Sequence, residues 1–390
     1  MTKTDQNQRS GDRSRRLRVV VVGGSLGGLC AGLALRCVGC DVEIFERSSS
    51  ELKDRGAGLV VQMELLQYLE RHGIATREAI SVPSRYRQYL ARDGGVAWGE
   101  ASYQLMTAWN TVYRQLRDVF PDEHYHHSHK LVGFEQNASS VIARFENSRE
   151  EICDLLVGAD GANSTCRSQL LPDVSPQYAG YVAWRGVVEE NAVATSVADV
   201  FAEKFTFFQM PNSHILCYLI PGSGGEVMKG KRRLNWVWYW NVQEGEPLRA
   251  LMTDKVGLFR DYSVPQGAIR EDLAEQQRAV AERVLPEVFQ QLVKATKEPF
   301  VQPIYDLSVP RVVFGRVCLL GDAAFVPRPH TAASTSKAVT NAIALAEAIR
   351  TSKGDVTMAL EQWEPAQLEL GNYLKVLGQT LGNRSQFGRP

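Results

Sequence analysis

The sequence predicts an α/β protein of two domains: a Rossmann-like domain with a parallel sheet in three layers, and a second domain built on a mostly antiparallel β-sheet. A chain of 390 residues is longer than the chains that usually fold around a single hydrophobic core. Near the N-terminus, a β-branched run at 19–22 leads into a glycine-rich turn and an Ala- and Leu-rich segment, the order of a strand, a turn and a helix. Residues 176–300 instead hold strand-like stretches rich in aromatic side chains.

Composition and charge exclude several classes of protein. Hydrophobic residues make up 44% and charged residues 23%, the balance of a globular chain. The 44 basic side chains equal the 44 acidic ones, which gives no basic surface for nucleic acid, so we expect no nucleic-acid partner. The seven cysteines are odd in number and scattered through apolar stretches, which favours a reducing compartment and a cytoplasmic location.

The N-terminal segment imitates a targeting signal. Residues 1–17 are rich in basic and small polar side chains, and we expect a disordered basic tail. A twin arginine at 15–16 and an apolar run to Leu35 resemble an export signal or a membrane helix. Four glycines interrupt that run, which is typical of a strand, a turn and a helix. We therefore predict neither export nor a membrane anchor.

The glycine-rich turn has the spacing of a dinucleotide-binding site. Gly23 permits a tight turn, Gly28 permits close packing of helix on strand, and the helix N-terminus between them can hold a pyrophosphate. Ser25 replaces the usual middle glycine, and its hydroxyl can donate to a phosphate oxygen. Glu46 ends the second strand, where an acidic side chain accepts from a ribose hydroxyl. The alternative is a glycine-rich turn in an unrelated α/β fold. The cofactor contacts predicted here are Gly23, Ser25, Leu26, Gly28, Glu46 and Arg47.

Two further apolar strands end at an aspartate beside a glycine, one at Asp160 and the other at Asp322. An acid at the carboxyl end of a buried parallel strand lies at the sheet edge where ligands bind, and Asp322 can accept from the ribityl hydroxyls of a flavin. The N-terminus of a helix expected at 332–350 can face the flavin pyrimidine ring. Each aspartate taken alone is also compatible with a strand-ending turn. The remaining predicted cofactor contacts are Asp160, Asp322, Ala332, Ala333 and Ser334.

The order of these three motifs resembles that of the single-component FAD-dependent aromatic hydroxylases of the para-hydroxybenzoate hydroxylase type. In finer detail the sequence resembles one branch of this family, the 2,6-dihydroxypyridine 3-hydroxylases. This resemblance extends from about residue 18 to about residue 376. It is carried by Gly56-Ala-Gly-Leu-Val-Val-Gln62, Tyr178-Ala-Gly-Tyr-Val-Ala-Trp-Arg-Gly186, Trp238-Tyr-Trp-Asn-Val242 and Pro327-Arg-Pro-His330.

The resemblance implies a monooxygenase. FAD would be reduced by NADPH or NADH, and a flavin C4a-hydroperoxide would pass one oxygen atom to a small electron-rich aromatic or N-heteroaromatic ring. The chain departs from most relatives at Phe325, where they carry histidine, and at 332–334, where they carry glycines; many carry arginine in place of Tyr113. Two alternatives stay open. One is a flavin-dependent epoxidase or another oxygenation on the same fold, and the other is a non-catalytic binding protein that has lost tight FAD binding.

The candidate catalytic residues are Pro329, His330 and His214. Pro329 lies where the family places a proline against the isoalloxazine, and His330 is the first candidate for a polar contact with the substrate. A loop histidine bonded to backbone is the plainer interpretation of His330. Four histidines at 124–129 have no Cys or carboxylate pattern that closes a site, so we expect no metal. The predicted substrate contacts are Phe205, Tyr218, Trp238 and His330, mostly from aromatics that alternate on strands.

These segments predict a discontinuous FAD-binding domain and a substrate domain. The first comprises 18–75, 101–175 and 301–350, the second comprises 176–300 with 76–100, and 351–390 form a C-terminal helix. A helix over 271–295 is expected to kink or break at Pro286. The expected partners are a small aromatic substrate and O2, and the sequence leaves a homodimer open.

Overall fold

The structure, a computed structural model, describes residues 16–52 and 57–388. The predicted basic tail lies almost wholly outside these residues. Among the described residues, no helix combines the length and the apolar character needed to cross a membrane.

The described residues form eighteen strands and eleven α-helices. The strands are β1 (Arg18–Val22), β2 (Asp41–Phe45), β3 (Gly58–Val61), β4 (Val82–Leu90), β5 (Val96–Ala108), β6 (Tyr125–His126), β7 (Leu131–Gln136), β8 (Val141–Phe145), β9 (Glu150–Cys153), β10 (Leu155–Gly158), β11 (Gln177–Glu189), β12 (Lys204–Met210), β13 (Ser213–Ile220), β14 (Arg233–Asn241), β15 (Phe300–Ser308), β16 (Val313–Phe314), β17 (Val317–Leu319) and β18 (Phe325–Val326). The helices are α1 (Leu26–Cys37), α2 (Met63–Arg71), α3 (Arg77–Ile80), α4 (Trp109–Val119), α5 (Thr165–Leu170), α6 (Thr195–Phe201), α7 (Glu246–Leu251), α8 (Glu271–Val284), α9 (Glu287–Ala295), α10 (Ser334–Thr351) and α11 (Val356–Phe387).

A six-stranded sheet of order β16-β17-β10-β1-β2-β6 forms the centre of the Rossmann-like part. All of its pairings are parallel except that of the edge strand β16. The β-branched run of β1 is almost fully buried, as expected for a strand covered on both faces. Helices α1 and α10 and the three-stranded sheet β7-β8-β9 share its hydrophobic core, so the predicted three-layer architecture is confirmed.

A nine-stranded sheet of order β18-β15-β11-β14-β13-β12-β4-β5-β3 forms the second part. It is antiparallel except for the pairing of β12 with β4, which confirms the predicted mostly antiparallel sheet. One face is covered by α6, α8 and α9 in a core that contains Trp184, Trp236 and Trp238. The other face turns toward the Rossmann-like part, and Tyr181 on it contacts His330.

Several predicted boundaries differ from the observed elements. Strands β3 and β15, which we placed in the FAD-binding domain, pair within the nine-stranded sheet. These differences arise because alternation of apolar residues predicts a strand but not the sheet it joins. The division into domains stays a prediction, whereas the helix break at Pro286 is confirmed.

Candidate functional site

The glycine-rich turn has the form of an anion-binding helix N-terminus. Gly23 has a φ of +105°, and a Cβ on Gly28 would lie 1.8 Å from the Gly23 carbonyl oxygen. Ser25 is the N-cap of α1, and its hydroxyl makes no capping hydrogen bond, which leaves it available to a ligand. The side chain of Leu26 is buried in the core, so only its backbone can face a phosphate. The turn therefore offers backbone N–H groups at the positive end of the helix dipole.

Glu46 stabilises this turn from the end of β2. It is buried, and its carboxylate accepts from the backbone N–H groups of Gly24 and Ser48, both at 2.8 Å. The spacing did not indicate this structural role, and a contact of Glu46 with a ribose hydroxyl stays a prediction. Arg47 follows it and is exposed.

Asp160 holds the first turn of α5, and its contact with the cofactor stays a prediction. Its Oδ2 accepts from the backbone N–H of Cys166 at 3.1 Å in the first turn of α5, and burial raises the pKa of its carboxyl. Arg167 in the same helix donates to the carbonyl of Ala162 at 2.7 Å and to that of Ala323 at 3.1 Å. This guanidinium thus ties the loop after Asp160 to the loop that carries Asp322.

Asp322 is held by two side chains of α10. Its Oδ1 accepts from Ser334 Oγ at 2.7 Å and from Lys337 Nζ at 2.8 Å. Lys337 is fully buried and also donates to the carbonyl of Phe325, and burial lowers the pKa of its ammonium. The Asp322 side chain is 40% exposed, and Oδ2 carries no hydrogen bond from the described residues. The carboxylate therefore presents one oxygen that can accept from a ribityl hydroxyl.

Lys337 was missed by the sequence reasoning. A lysine at 1% exposure on an Ala-rich helix needs an acidic partner, because burial of an unpaired charge is costly. Asp322 lies fifteen positions before Lys337 in the sequence and is the acidic side chain that could have been predicted as this partner.

The start of α10 adopts an unusual backbone conformation. Ala332 has φ 52° and ψ 21°, the left-handed region that favours glycine, and its carbonyl accepts from Gln62 Nε2 at 3.4 Å. Ala333 is the N-cap and Ser334 the first residue of the helix. The glycines that the resemblance implies at 332–334 would suit this conformation, so the alanine is held there by its surroundings at a cost of about 1 kcal/mol.

Two histidines and two tyrosines form one polar cluster beside Pro329. His330 Nε2 lies 3.0 Å from Tyr181 Oη, and the His330 ring lies 4.6 Å from that of Tyr239 and 5.5 Å from that of His214. Burial lowers the pKa of His214 to about 4 and that of His330 to about 3, with a smaller contribution to the latter from His214 and Arg328. Both rings are therefore neutral near pH 7. Pro329 itself is exposed.

The predicted substrate contacts divide between the two faces of the nine-stranded sheet. Strand register places Phe205 and Tyr218 on the face of His214, where their rings meet edge-on at 5.1 Å. Trp238 pairs with Ile215 on the opposite face, at 1% exposure within the core beneath α8 and α9. Its selection as a substrate contact is therefore wrong, because the side chain points away from the site.

The arrangement fits a flavin dinucleotide. On the His214 face of the sheet, Arg185 Nε and Asn235 Nδ2 are buried, and neither has a hydrogen-bond partner among the described residues. Buried polar atoms without partners are rare in proteins and commonly meet a ligand or water. Together with the N-terminus of α1 and Asp322 Oδ2, they offer polar groups from both sheets. These are the residues that could hold FAD.

The histidine-rich segment forms a separate cluster at the edge of the six-stranded sheet. Glu43 lies 2.8 Å from His124 Nδ1 and 2.6 Å from His126 Nε2, so its carboxylate is already hydrogen-bonded. Ligand atoms of Asp41, Glu43 and His124 lie within 4.8 Å of one another. The sequence reasoning did not foresee these two carboxylates, and the absence of a metal stays a prediction.

Acidification should destabilise the protein through the two buried histidines. Their folded pKa values lie below the unfolded value of about 6.5, so the unfolded chain binds more protons and this stability is lost as the pH falls below about 6.5. From pH 7 to pH 4 we expect the wild type to lose about 6 kcal/mol more unfolding free energy than the His214→Gln/His330→Gln variant, about half of it from each histidine. Urea titrations across this range measure the difference, and parallel curves would contradict it.

Comparisons with known proteins support this assignment. A family profile described as FAD binding domain-like matches residues 178–306. The chain is 38% identical over 372 residues to 2,6-dihydroxypyridine 3-monooxygenase of Paenarthrobacter nicotinovorans, an alignment that covers 95% of this chain and 92% of the relative.

Solved structures agree. The 2,6-dihydroxypyridine-3-hydroxylase of Arthrobacter nicotinovorans superposes with a TM-score of 0.91 at 38% identity, covering 96% of this chain and 94% of that one. Klebsiella pneumoniae HpxO, complexed with FAD and uric acid, shares the fold with a TM-score of 0.77 at 21% identity, covering 95% and 89%. The predicted resemblance is confirmed: the chain belongs to the FAD-dependent aromatic hydroxylases, oxidoreductases that bind FAD and consume NAD(P)H and O2.

Proposed function

We propose that this enzyme hydroxylates a small N-heteroaromatic ring that carries hydroxyl or oxo groups, such as a dihydroxypyridine. The observation that carries the proposal is the cluster of His214 and His330 beside Pro329, in which both rings are neutral and nearly enclosed. Such a cluster suits a flat polar ring better than a purely apolar one. The relative at 38% identity acts on 2,6-dihydroxypyridine, which agrees with this substrate class.

In this proposal the two sheets have separate tasks. When bound, FAD supplies the chemistry that accepts electrons from NAD(P)H and activates O2. Asp322, oriented by Lys337 and Ser334, holds the cofactor from one side. The loop of Pro329 and the nine-stranded sheet would enclose the substrate and exclude water from the reacting ring.

The cluster orients the substrate by forming hydrogen bonds with its ring oxygen. Because His214 and His330 are neutral, they can form hydrogen bonds with a ring oxygen without adding net charge to the site. A ring hydroxyl that is deprotonated makes the ring richer in electrons, which favours hydroxylation. Phe205 and Tyr218 lie on the same face of the sheet as His214 and stay predicted substrate contacts.

A visible absorbance spectrum of the purified protein, followed by a turnover assay, tests the proposal. We expect oxidised flavin bands, and NADPH or NADH oxidation accelerated by 2,6-dihydroxypyridine, with a product one oxygen atom heavier by mass spectrometry. Simple phenols serve as comparison substrates. A protein that stays colourless in excess FAD would favour the binding-protein alternative, and flavin reduction that no hydroxypyridine accelerates would exclude the proposed substrate class.

We also propose a cytoplasmic location, supported by seven cysteines that are all free thiols, six of them buried. The homodimer stays a prediction.

A further inference from the structure

The last turn of α11 contributes to the wall of the site at His214. Ser385 Oγ lies 2.7 Å and Gln386 Nε2 3.1 Å from His214 Nδ1. The carbonyl of Gln386 accepts from Asn241 Nδ2 at 2.8 Å, which fixes the turn against β14. Gln386 is 0% exposed, although it is polar and lies near the end of a long helix. Its side-chain hydrogen bonds go to His214 and Ser385 alone among the described residues.

With the Gln386 amide nitrogen directed at the ring, Nδ1 of His214 is the acceptor in this network. The amide nitrogen of Gln386 can only donate, and it also lies 2.9 Å from Ser385 Oγ. Ser385 Oγ accepts from that amide, so its own hydrogen is directed to His214 Nδ1. A neutral imidazole carries a single N–H, and burial keeps this ring neutral, so the hydrogen lies on Nε2.

The second nitrogen, Nε2, is free to meet a ligand. It makes no hydrogen bond within the described part of the chain, and it is not among the fully enclosed polar atoms that lack a partner. The ring lies 4.7 Å from Tyr239 and 5.5 Å from His330, on the side of the sheet that carries the cluster beside Pro329. The free N–H therefore belongs to the space assigned to the substrate.

We propose that Ser385 and Gln386 are positioning residues that fix His214 as a hydrogen-bond donor, so that the site selects rings with a deprotonated or carbonyl oxygen. This inference rests on the proposed function and names the feature of the substrate that the site recognises. A fixed N–H donor in an enclosed site stabilises an oxyanion without the cost of reorienting water. A ring that lacks this oxygen would leave the N–H buried and unpaired. The site would therefore discriminate strongly against such rings.

Gln386→Glu tests the proposal with almost no change in shape. The carboxylate can only accept, so the hydrogen of the neutral ring moves to Nδ1 and Nε2 becomes an acceptor that repels the substrate oxygen. We expect 2,6-dihydroxypyridine to bind about ten- to a hundredfold more weakly at high pH, with unchanged FAD content. As the pH falls and the ring takes a second proton beside the new carboxylate, binding should recover relative to the wild type.

The pH profile separates positioning from a merely structural role. Arg384→Ala, an exposed change in the same helical turn, is the control and should bind as the wild type does at every pH. The wild type and the two variants share the groups that face His214 from the other elements. These groups are His330 and Tyr239, with Tyr181 and Arg328 behind them. Flavin absorbance changes on titration with 2,6-dihydroxypyridine give each dissociation constant.

Nitrogen-15 spectra of histidine-labelled protein show which nitrogen of His214 carries the hydrogen, and they need no substrate. The proposal requires a protonated Nε2 and an unprotonated Nδ1 for His214 in the wild type, reversed in Gln386→Glu at high pH. The proposal would be overturned if the wild-type ring carried its hydrogen on Nδ1. It would also be overturned if the ratio of the variant's dissociation constant to that of the wild type did not vary with pH. If the wild type neither binds nor hydroxylates dihydroxypyridines, the proposed function fails, whereas the spectra still report on His214 alone.

Discussion

Replacing Asp322 with alanine is expected to weaken FAD binding about a hundredfold and to lower the free energy of unfolding by about 3 kcal/mol. The affinity falls because the exposed carboxylate oxygen is the acceptor we assign to the ribityl chain. The stability falls because Lys337 is fully buried and would lose the partner of its ammonium group. Flavin fluorescence titration of the apoprotein measures the first effect, and urea unfolding of the apoprotein measures the second.

The double variant Asp322→Ala/Lys337→Met separates the two effects. Methionine fills the volume of the lysine without a charge, so we expect most of the lost stability to return. FAD affinity should stay low, since the acceptor is still missing. Recovery of FAD binding in the double variant would show that Asp322 acts only by neutralising Lys337, and our placement of the ribityl chain would then be wrong.

Replacing Gly28 with alanine is expected to abolish stable FAD binding and to cost about 3 kcal/mol of stability. The new Cβ would lie 1.8 Å from the carbonyl oxygen of Gly23, so the turn must move away from α1. That movement displaces the backbone N–H groups that would hold the pyrophosphate. Flavin content after purification and the midpoint of thermal unfolding give the two measurements.

Gly27→Ala is the matched control, one position earlier in the same helix. A Cβ there would lie 3.5 Å from Ala338 Cβ and 3.5 Å from Leu320 Cδ2, which is ordinary van der Waals contact. Alanine is also the better helix former by about 1 kcal/mol, so this variant should retain FAD and be as stable as the wild type. Equal behaviour of the two variants would rule out the close approach at Gly28 as the cause.

Local patterns in the sequence predicted the elements to which we assign the cofactor. The β-branched run before Gly23 and the position of Glu46 gave β1, the turn and the end of β2 within a residue or so, because each is determined by neighbours in the chain. Asp322 was found for the same reason: a polar residue directly after a buried strand lies at the edge of the sheet.

The side chains that required tertiary context were harder to predict. Alternation correctly placed Trp236 and Trp238 on one face of β14, but only the pairing with β13 and the helices packed on them show that this face points away from the site. Ser385 follows His214 by 171 residues and Gln386 follows it by 172, and nothing in the last helix indicates that its final turn reaches a histidine. Contacts of this kind depend on how distant segments assemble.

The strand order of the six-stranded sheet has a consequence for folding. Its central strands β1, β10 and β17 are neighbours in space but begin at residues 18, 155 and 317, so the cofactor sheet closes only after nearly the whole substrate sheet has been synthesised. Such a topology has a high contact order, and refolding is correspondingly slow, with hydrophobic edges exposed in the meantime. The segment 178–306 is also not a separable unit, because its strand β12 pairs with β4, and the strands β3, β4 and β5 of the same sheet lie between residues 58 and 108.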